Sequence, residues 1–193
     1  MQSICVFCGS STGSEPEYTE AARTLGKVLA GANIRLIFGG GRVGLMGEVA
    51  NAALAAGGEA IGVIPNSLVE REIAHTGLTD LHVVGSMHER KAMMSDLSDG
   101  FVALPGGTGT LEEFFEVLTW AQLGEHTKPC GLVNVAGYYD PLLAVFDHMV
   151  GKGFLSEANR ALVIIESDPG ALLAKLERYR PPEAIKWVSG PET

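Results

Sequence analysis

The sequence predicts an α/β fold: a Rossmann-like, doubly wound, mainly parallel sheet of about seven strands with helices on both faces. Three observations predict it. Short apolar runs rich in β-branched residues alternate with longer segments of helical period. The short runs are apolar throughout instead of alternating, as strands covered on both faces must be. Loops of glycine and hydroxyl residues follow several of these runs, at the strand exits where such sheets hold ligands.

The strand candidates are Ser3–Cys8, Ile34–Phe38, Ala60–Ile64, Leu81–Val84, Gly100–Leu104, Cys130–Asn134 and Leu162–Ile165. Helices are expected over Pro16–Ala30, Leu45–Ala56, Met87–Leu97, Leu111–Leu123, Pro141–Gly151 and Pro169–Tyr179. Gly31 and Gly57-Gly58 sit where left-handed helix caps are needed. Asp168-Pro169 reads as an N-cap followed by the first helical residue. Residues 1–180 make one domain, and the Pro-rich stretch 181–193 is a tail over its surface.

The chain has 193 residues, enough for a substantial core. With 46% apolar and 19% charged residues it is not a disordered protein. Its net charge of −9 argues against general binding to nucleic acid or to anionic membranes. No apolar run reaches the ~18 residues of a membrane span. No basic region precedes the short apolar run at the N-terminus, so no signal peptide is expected and residence is expected to be cytoplasmic.

Cys5 and Cys8 form a C-x-x-C within a strand-like run. Side chains three apart on a strand face opposite ways, which suits neither a redox pair nor chelation. The five histidines show no metal-ligand spacing, so no metal site is expected.

Three strand exits carry small-residue chemistry: Gly9-Ser10-Ser11-Thr12-Gly13, Gly39-Gly40-Gly41-Arg42-Val43-Gly44, and Pro105-Gly106-Gly107-Thr108-Gly109-Thr110. Together they suggest a phosphate-bearing ligand held by backbone N–H groups at helix starts. Gly39, Gly41 and Gly44 satisfy G-x-G-x-x-G, but after the second strand, and the acid about 20 residues on, Glu59, begins a strand instead of ending one. A tight turn with close helix–sheet packing explains that cluster as well as a ligand contact does. The loop from Pro105 lacks the lysine of a P-loop, which disfavours nucleoside triphosphate hydrolysis. Thr110 and Glu113 also fit a capping box, T-x-x-E, with a purely structural purpose.

Met87-His88-Glu89-Arg90-Lys91 puts adjacent cations near a helix start, against the helix dipole. They form either a solvated face or a guanidinium aimed at a phosphate or ribose. Glu70-Arg71-Glu72 reads as an ordinary charged loop. Leu111–Leu123 is apolar around much of its circumference, as a central helix or one in a subunit interface would be.

On these residues the chain resembles the LOG ("Lonely Guy") family, the cytokinin riboside 5′-monophosphate phosphoribohydrolases, also labelled lysine decarboxylase-like. The family's P-G-G-x-G-T-x-x-E pattern is met by Pro105, Gly106, Gly107, Gly109, Thr110 and Glu113. Its M-x-x-R-K pattern is met by Met87, Arg90 and Lys91. Cys5–Ser11 and Thr119–Gly124 are similar too, and the resemblance runs from Ile4 to about Tyr179. Phe38 and Thr108 stand where many members have Tyr, a change that bears on base preference.

The resemblance implies a dimeric Rossmann-like protein that cleaves the N-glycosidic bond of a nucleoside 5′-monophosphate. The products are ribose 5-phosphate and adenine or an N6-substituted adenine, and no cofactor is needed. It implies Arg90 and Glu113 as the catalytic pair. It implies Glu72, Lys91, Gly106, Gly107, Thr108, Gly109, Thr110, Glu112 and Thr119 as substrate contacts. Gly9, Ser10, Gly40, Gly41 and Met87 are further candidate contacts.

The chemistry suits these residues. Glycosidic cleavage builds positive charge on the ribose, which a carboxylate can stabilise while it activates water. A decarboxylase would need a Schiff-base lysine. Lys91 is the only lysine beside a candidate site, with Arg90 adjacent to lower its pKa. The alternative from another class is a non-catalytic carrier of a nucleotide or nucleotide cofactor. Such a carrier needs the anion loop but no carboxylate at the ribose. An NAD-dependent oxidoreductase is a third reading.

Overall fold

A computed structural model describes residues 1–69 and 74–181. Seven strands form one sheet: β1 (Ser3–Phe7), β2 (Arg35–Phe38), β3 (Ala60–Pro65), β4 (Asp80–Val84), β5 (Phe101–Ala103), β6 (Cys130–Val133) and β7 (Val163–Glu166). Their order is β4-β3-β2-β1-β5-β6-β7, and every neighbouring pair is parallel. All seven expected strands are present, with ends shifted by at most one residue.

The helices are α1 (Pro16–Gly31), α2 (Gly44–Ala55), α3 (Met87–Asp96), α4 (Thr108–Leu123), α5 (Asp140–Gly151), α6 (Glu157–Arg160) and α7 (Pro169–Arg178). The short α6 has no counterpart in the sequence reading. Its one turn is too brief to show a periodicity.

Helices cover both faces. On one side α1, α2 and α7 bury Leu25, Leu29, Val49, Leu172 and Leu176 against Ile4, Val6 and Leu36. On the other, α3, α4 and α5 bury Met94, Phe114, Leu118 and Phe146 against Cys5, Phe7 and Phe101. Alternate residues of β1 therefore serve different cores, so Ile4 through Phe7 are all apolar, while Ser3 at the strand's start donates its hydroxyl to the Leu97 carbonyl at 2.7 Å. Cys5 and Cys8 fall in opposite cores, as strand geometry requires. Burial, reinforced by the Glu113 carboxylate, pushes both thiols well above their usual pKa. The reactive thiolate of a redox pair is thereby disfavoured.

Two caps follow the sequence and one does not. Asp168 caps α7 by accepting from the Ala171 N–H at 2.8 Å, and Gly57 is left-handed at φ 81°. Gly31, however, ends inside α1, and the left-handed residue there is Asn33 at φ 55°. Asparagine tolerates that conformation better than other non-glycine residues.

Chain order reverses between β1 and β5. From β1 the chain winds outward through β2, β3 and β4. It then crosses back to β5 and winds outward the other way. The exits of β1 and β5 diverge there and leave the crevice in which doubly wound sheets bind ligands.

Helices α1 and α2 approach closely enough that a Cβ on Gly26 would lie 2.4 Å from the Val49 carbonyl oxygen and 2.8 Å from the Ala53 nitrogen. Backbone atoms cannot yield as a side chain can. Gly26→Ala should therefore lower stability by about 1–3 kcal/mol through overpacking. Urea denaturation checks this, and an unchanged midpoint would show that the two helices separate freely.

Candidate active site

The cleft at the switch point has a volume of about 330 Å³. The exit of β1 (Cys8, Gly9, Ser10), the first turn of α4 (Gly107, Thr108, Gly109, Thr110), and Met46, Leu68, Met87, Arg90, Glu112 and Glu113 line it. Five segments distant in sequence thus converge on one cavity.

The amide floor comes from α4. This helix starts at Thr108 with Gly107 as its N-cap, three residues before the expected start at Leu111. The capping box of Thr110 and Glu113 is therefore absent. Thr110 is already helical and 4% exposed, tucked against Gly106, where a Cβ would sit 2.1 Å from the Thr110 Oγ1. Glycine's poor helix propensity at 107 and 109 makes this turn read as loop, and tertiary packing overrides it. The early start brings the first turn of α4 to the cleft, where N–H groups that a helix leaves without intrahelical partners and the positive end of its dipole are found. Around Gly107 and Gly109 a Cβ would meet nothing within 4 Å, so both border open space.

Arg90 is held from the other side. Its side chain is buried, with the residue 4% exposed, so the solvated-face alternative does not apply. Its Nε donates to the Val63 carbonyl at 3.2 Å, Nη2 to the Gly39 carbonyl at 3.2 Å, and Nη1 to Met87 Sδ at 3.7 Å. Those two carbonyls belong to the carboxyl ends of β3 and β2. A cation so desolvated needs such acceptors to remain charged. Gly39 is required for this seat, since a Cβ there would lie 2.0 Å from Arg90 Nη2. Helix α3 is started by Ser86, whose Oγ accepts from the Glu89 N–H at 3.1 Å, while Glu89 reaches back to the Gly85 N–H at 2.8 Å. Sequence reasoning overlooked this S-x-x-E signal, although Ser86 and Glu89 show the required spacing.

Glu113 is half-buried and faces the same cavity as Arg90. Its carboxylate is close enough to Cys5 and Cys8 to raise both thiols.

The remaining expected contacts divide. Gly9, Ser10, Gly107, Thr108, Gly109, Thr110, Glu112 and Met87 line the cleft. Gly106 lies in the loop just behind it and borders a second hollow. Gly40 and Gly41 serve backbone packing. Gly40, at φ 77°, abuts Leu81 and Gly62, and Gly41 makes a β-bridge to Ala74. Gly44, at φ 59°, lets α2 start against the β1 exit, where a Cβ would sit 2.2 Å from the Ser10 carbonyl carbon. The close-packing reading of the G-x-G-x-x-G cluster is the one these contacts support.

Lys91 turns to the rim, where its ammonium bonds Glu112 at 2.5 Å and Glu116 at 3.0 Å. Burial alone would lower its pKa, but the hydrogen bonds and charges of the two carboxylates outweigh it and raise it. The expectation that Arg90 depresses Lys91 is thus reversed, and Lys91 is not the neutral amine a Schiff base requires. Thr119 lies on exposed α4 surface with its hydroxyl bonded to the Phe115 carbonyl at 2.7 Å. It is nine residues beyond Thr110, roughly 14 Å along the helix. Glu72 lies outside the described residues. Cys8, Met46 and Leu68 line the cleft although the sequence reading did not name them as contacts. Nothing in their local pattern separates them from ordinary core residues.

Among the described residues, no group of three or more His, Cys, Asp or Glu side chains is placed to hold a metal ion. Among them also, no helix is long and apolar enough to cross a membrane.

Known proteins share both the fold and the sequence. Similar solved structures include the Moco carrier protein of Chlamydomonas reinhardtii, with a TM-score of 0.70 and 23% identity over 92% of this chain and 96% of that one. The molybdenum cofactor binding protein of Rippkaea orientalis superposes with a TM-score of 0.69 at 24% identity, covering 92% of this chain and 95% of that one. At such identity they show the fold alone.

Sequence relatives are much nearer. The probable cytokinin riboside 5′-monophosphate phosphoribohydrolase LOGL9 of Oryza sativa subsp. japonica is 53% identical over 92% of this chain and 78% of its own length. The cytokinin riboside 5′-monophosphate phosphoribohydrolase of Rhodococcoides fascians is 52% identical over 90% of this chain and 88% of its own. LOG7 of Arabidopsis thaliana, of the same name, is 49% identical over 92% and 82%. The family model described as "Possible lysine decarboxylase" matches residues 46–176, which include Arg90, the α4 loop and Glu113. With half its residues shared over nine-tenths of its length, the chain belongs to the cytokinin riboside 5′-monophosphate phosphoribohydrolase (LOG) family.

Proposed function

We propose that this protein hydrolyses the N-glycosidic bond of adenosine 5′-monophosphates, plain or N6-modified, to free base and ribose 5-phosphate. The observation that carries this reading is the shared cleft: an amide-lined helix start, a buried arginine and a carboxylate face one cavity of about 330 Å³. Its size is within the range of small-ligand sites.

In this reading the 5′-phosphate docks on the first-turn amides of α4. That binding energy, remote from the reacting bond, fixes the sugar for reaction. As the C1′–N bond breaks, positive charge builds on the ribose. The base leaves with the electron pair of that bond and takes up a proton, while the Glu113 carboxylate stabilises the cation and accepts a proton from the water that adds to C1′, so one proton is gained and one is released. Arg90 lines the cleft with a guanidinium, which has N–H donors and no acceptor atom. Fixed by the Gly39 and Val63 carbonyls, it serves as a rigid cation for ribose or phosphate oxygens and not as an acid.

We also infer that the protein works as a homodimer in the cytoplasm. Apolar side chains left exposed on and beside α4 and α5 support the dimer: Leu123, Val145 and Phe154 are 42%, 47% and 88% exposed.

Four outcomes test the reading. Incubation with AMP and with its N6-isopentenyl derivative should release base and ribose 5-phosphate, detected by chromatography; binding without release would favour a carrier. Glu113→Gln should keep nucleotide affinity and lose at least about a hundredfold in turnover, and wild-type turnover would remove Glu113 from the mechanism. Gly39→Ala should cost activity comparably to Arg90→Ala, because it evicts the guanidinium. Equal rates on AMP and adenosine would refute the phosphate dock.

A further inference from the structure

We propose that Tyr138 is a positioning residue for the phosphate grip, acting from behind the loop that forms it. The inference rests on the reading that the cleft takes a 5′-phosphate.

Each carbonyl at the exit of β5 has its own partner. The Tyr139 hydroxyl donates to the Leu104 carbonyl at 2.6 Å. The Gly9 N–H donates to the Pro105 carbonyl at 3.1 Å. The Tyr138 hydroxyl donates to the Gly106 carbonyl at 2.5 Å. Three successive peptide planes are thereby fixed. In a planar trans peptide the C=O and the following N–H point in opposite directions. Anchoring the Gly106 oxygen on one side of the loop therefore turns the Gly107 N–H toward the other.

The two sides are distinct cavities. Tyr138, Gly106 and Tyr18 border a hollow of about 290 Å³ behind the loop. Arg90 and Glu113 border the cleft in front. Gly107 borders both. Tyr138 thus reaches Gly106 from the rear, while the amide it orients serves the front. Gly106 and Gly107 have little intrinsic stiffness, so an external clamp is needed to hold the amides where a phosphate must find them.

The clamp itself is braced. Ala136 and Gly137, at φ 51° and 70°, adopt left-handed backbone that alanine rarely accepts. Asn134 ties the turn by donating to Asp140 at 2.7 Å and accepting from the Tyr139 N–H at 2.7 Å. Tyr18 packs edge-to-face on Tyr138, with ring centroids 5.5 Å apart.

Titration calorimetry with AMP and with adenosine tests the assignment in the Glu113→Gln background, which leaves AMP uncleaved, with position 138 either wild type or Tyr138→Phe, alongside thermal unfolding. Loss of the hydroxyl should weaken AMP roughly tenfold, as expected for misaligned charge-assisted hydrogen bonds. Adenosine affinity should stay within about twofold and the unfolding midpoint should stay put. AMP affinity within about twofold of that with Tyr138 intact would overturn the assignment. So would equal losses for both ligands with a lowered midpoint, the mark of a general structural role. If the protein with Tyr138 intact binds AMP no better than adenosine, there is no phosphate grip, and the failure belongs to the underlying reading.

Discussion

The site depends on backbone contact between the exits of two adjacent parallel strands. β1 and β5 lie side by side, and their chains leave for opposite ends of the sheet. Where they part, Gly9 and Gly106 touch: a Cβ on Gly106 would lie 2.8 Å from the Gly9 nitrogen, and one on Gly9 would lie 3.3 Å from the Gly106 Cα. The Gly9 N–H bonds the Pro105 carbonyl across this contact, and the Leu45 N–H bonds the Gly9 carbonyl from α2 at 3.0 Å. Any side chain at the crossing would force the loops apart. The glycines thus close the floor of the crevice and let α4 begin directly against it.

Charge is distributed around this floor according to burial. Arg90 is deeply desolvated and held by carbonyl oxygens at strand ends, so its position is set by the sheet itself. Its neighbour Lys91 is set by α4 and holds two carboxylates at the rim. Glu112, which also lines the cleft, and Glu116 are thereby tied to one ammonium, and Glu113 faces the same cavity as Arg90. One dipeptide therefore supplies an inward guanidinium and an outward ammonium. Arginine suits the inward place because it makes several directed bonds to fixed carbonyls, whereas a lysine ammonium would be a point charge there.

The same geometry accounts for what the C-x-x-C does. Its members sit in different cores, and burial with a nearby carboxylate keeps them as thiols. They act as small apolar residues where the sheet has little room.

Much of the fold was legible because periodicity is local. Fully apolar strands announced a sheet covered on both faces, and the Pro105–Glu113 run with Arg90 pointed to the cleft. Strand order was not legible, since apolar runs carry no label for their neighbours. Nor was the true start of α4, where packing of Thr110 under Gly106 outweighs the poor helix propensity of glycine. Lys91 could not be assigned either: its partners lie 21 and 25 residues away, and their carboxylates reverse the effect of an adjacent arginine. The role of Tyr138 is the clearest case. A Tyr-Tyr pair after a strand reads as ordinary core, and only the meeting of the β6–α5 turn with the β5 exit reveals two hydroxyls on two backbone carbonyls. The sequence by itself determined the element types and the chemical identity of the site residues, because these follow from local pattern and residue chemistry. Tertiary structure alone decided which residues face the cavity and which brace it, because that depends on contacts between segments far apart along the chain.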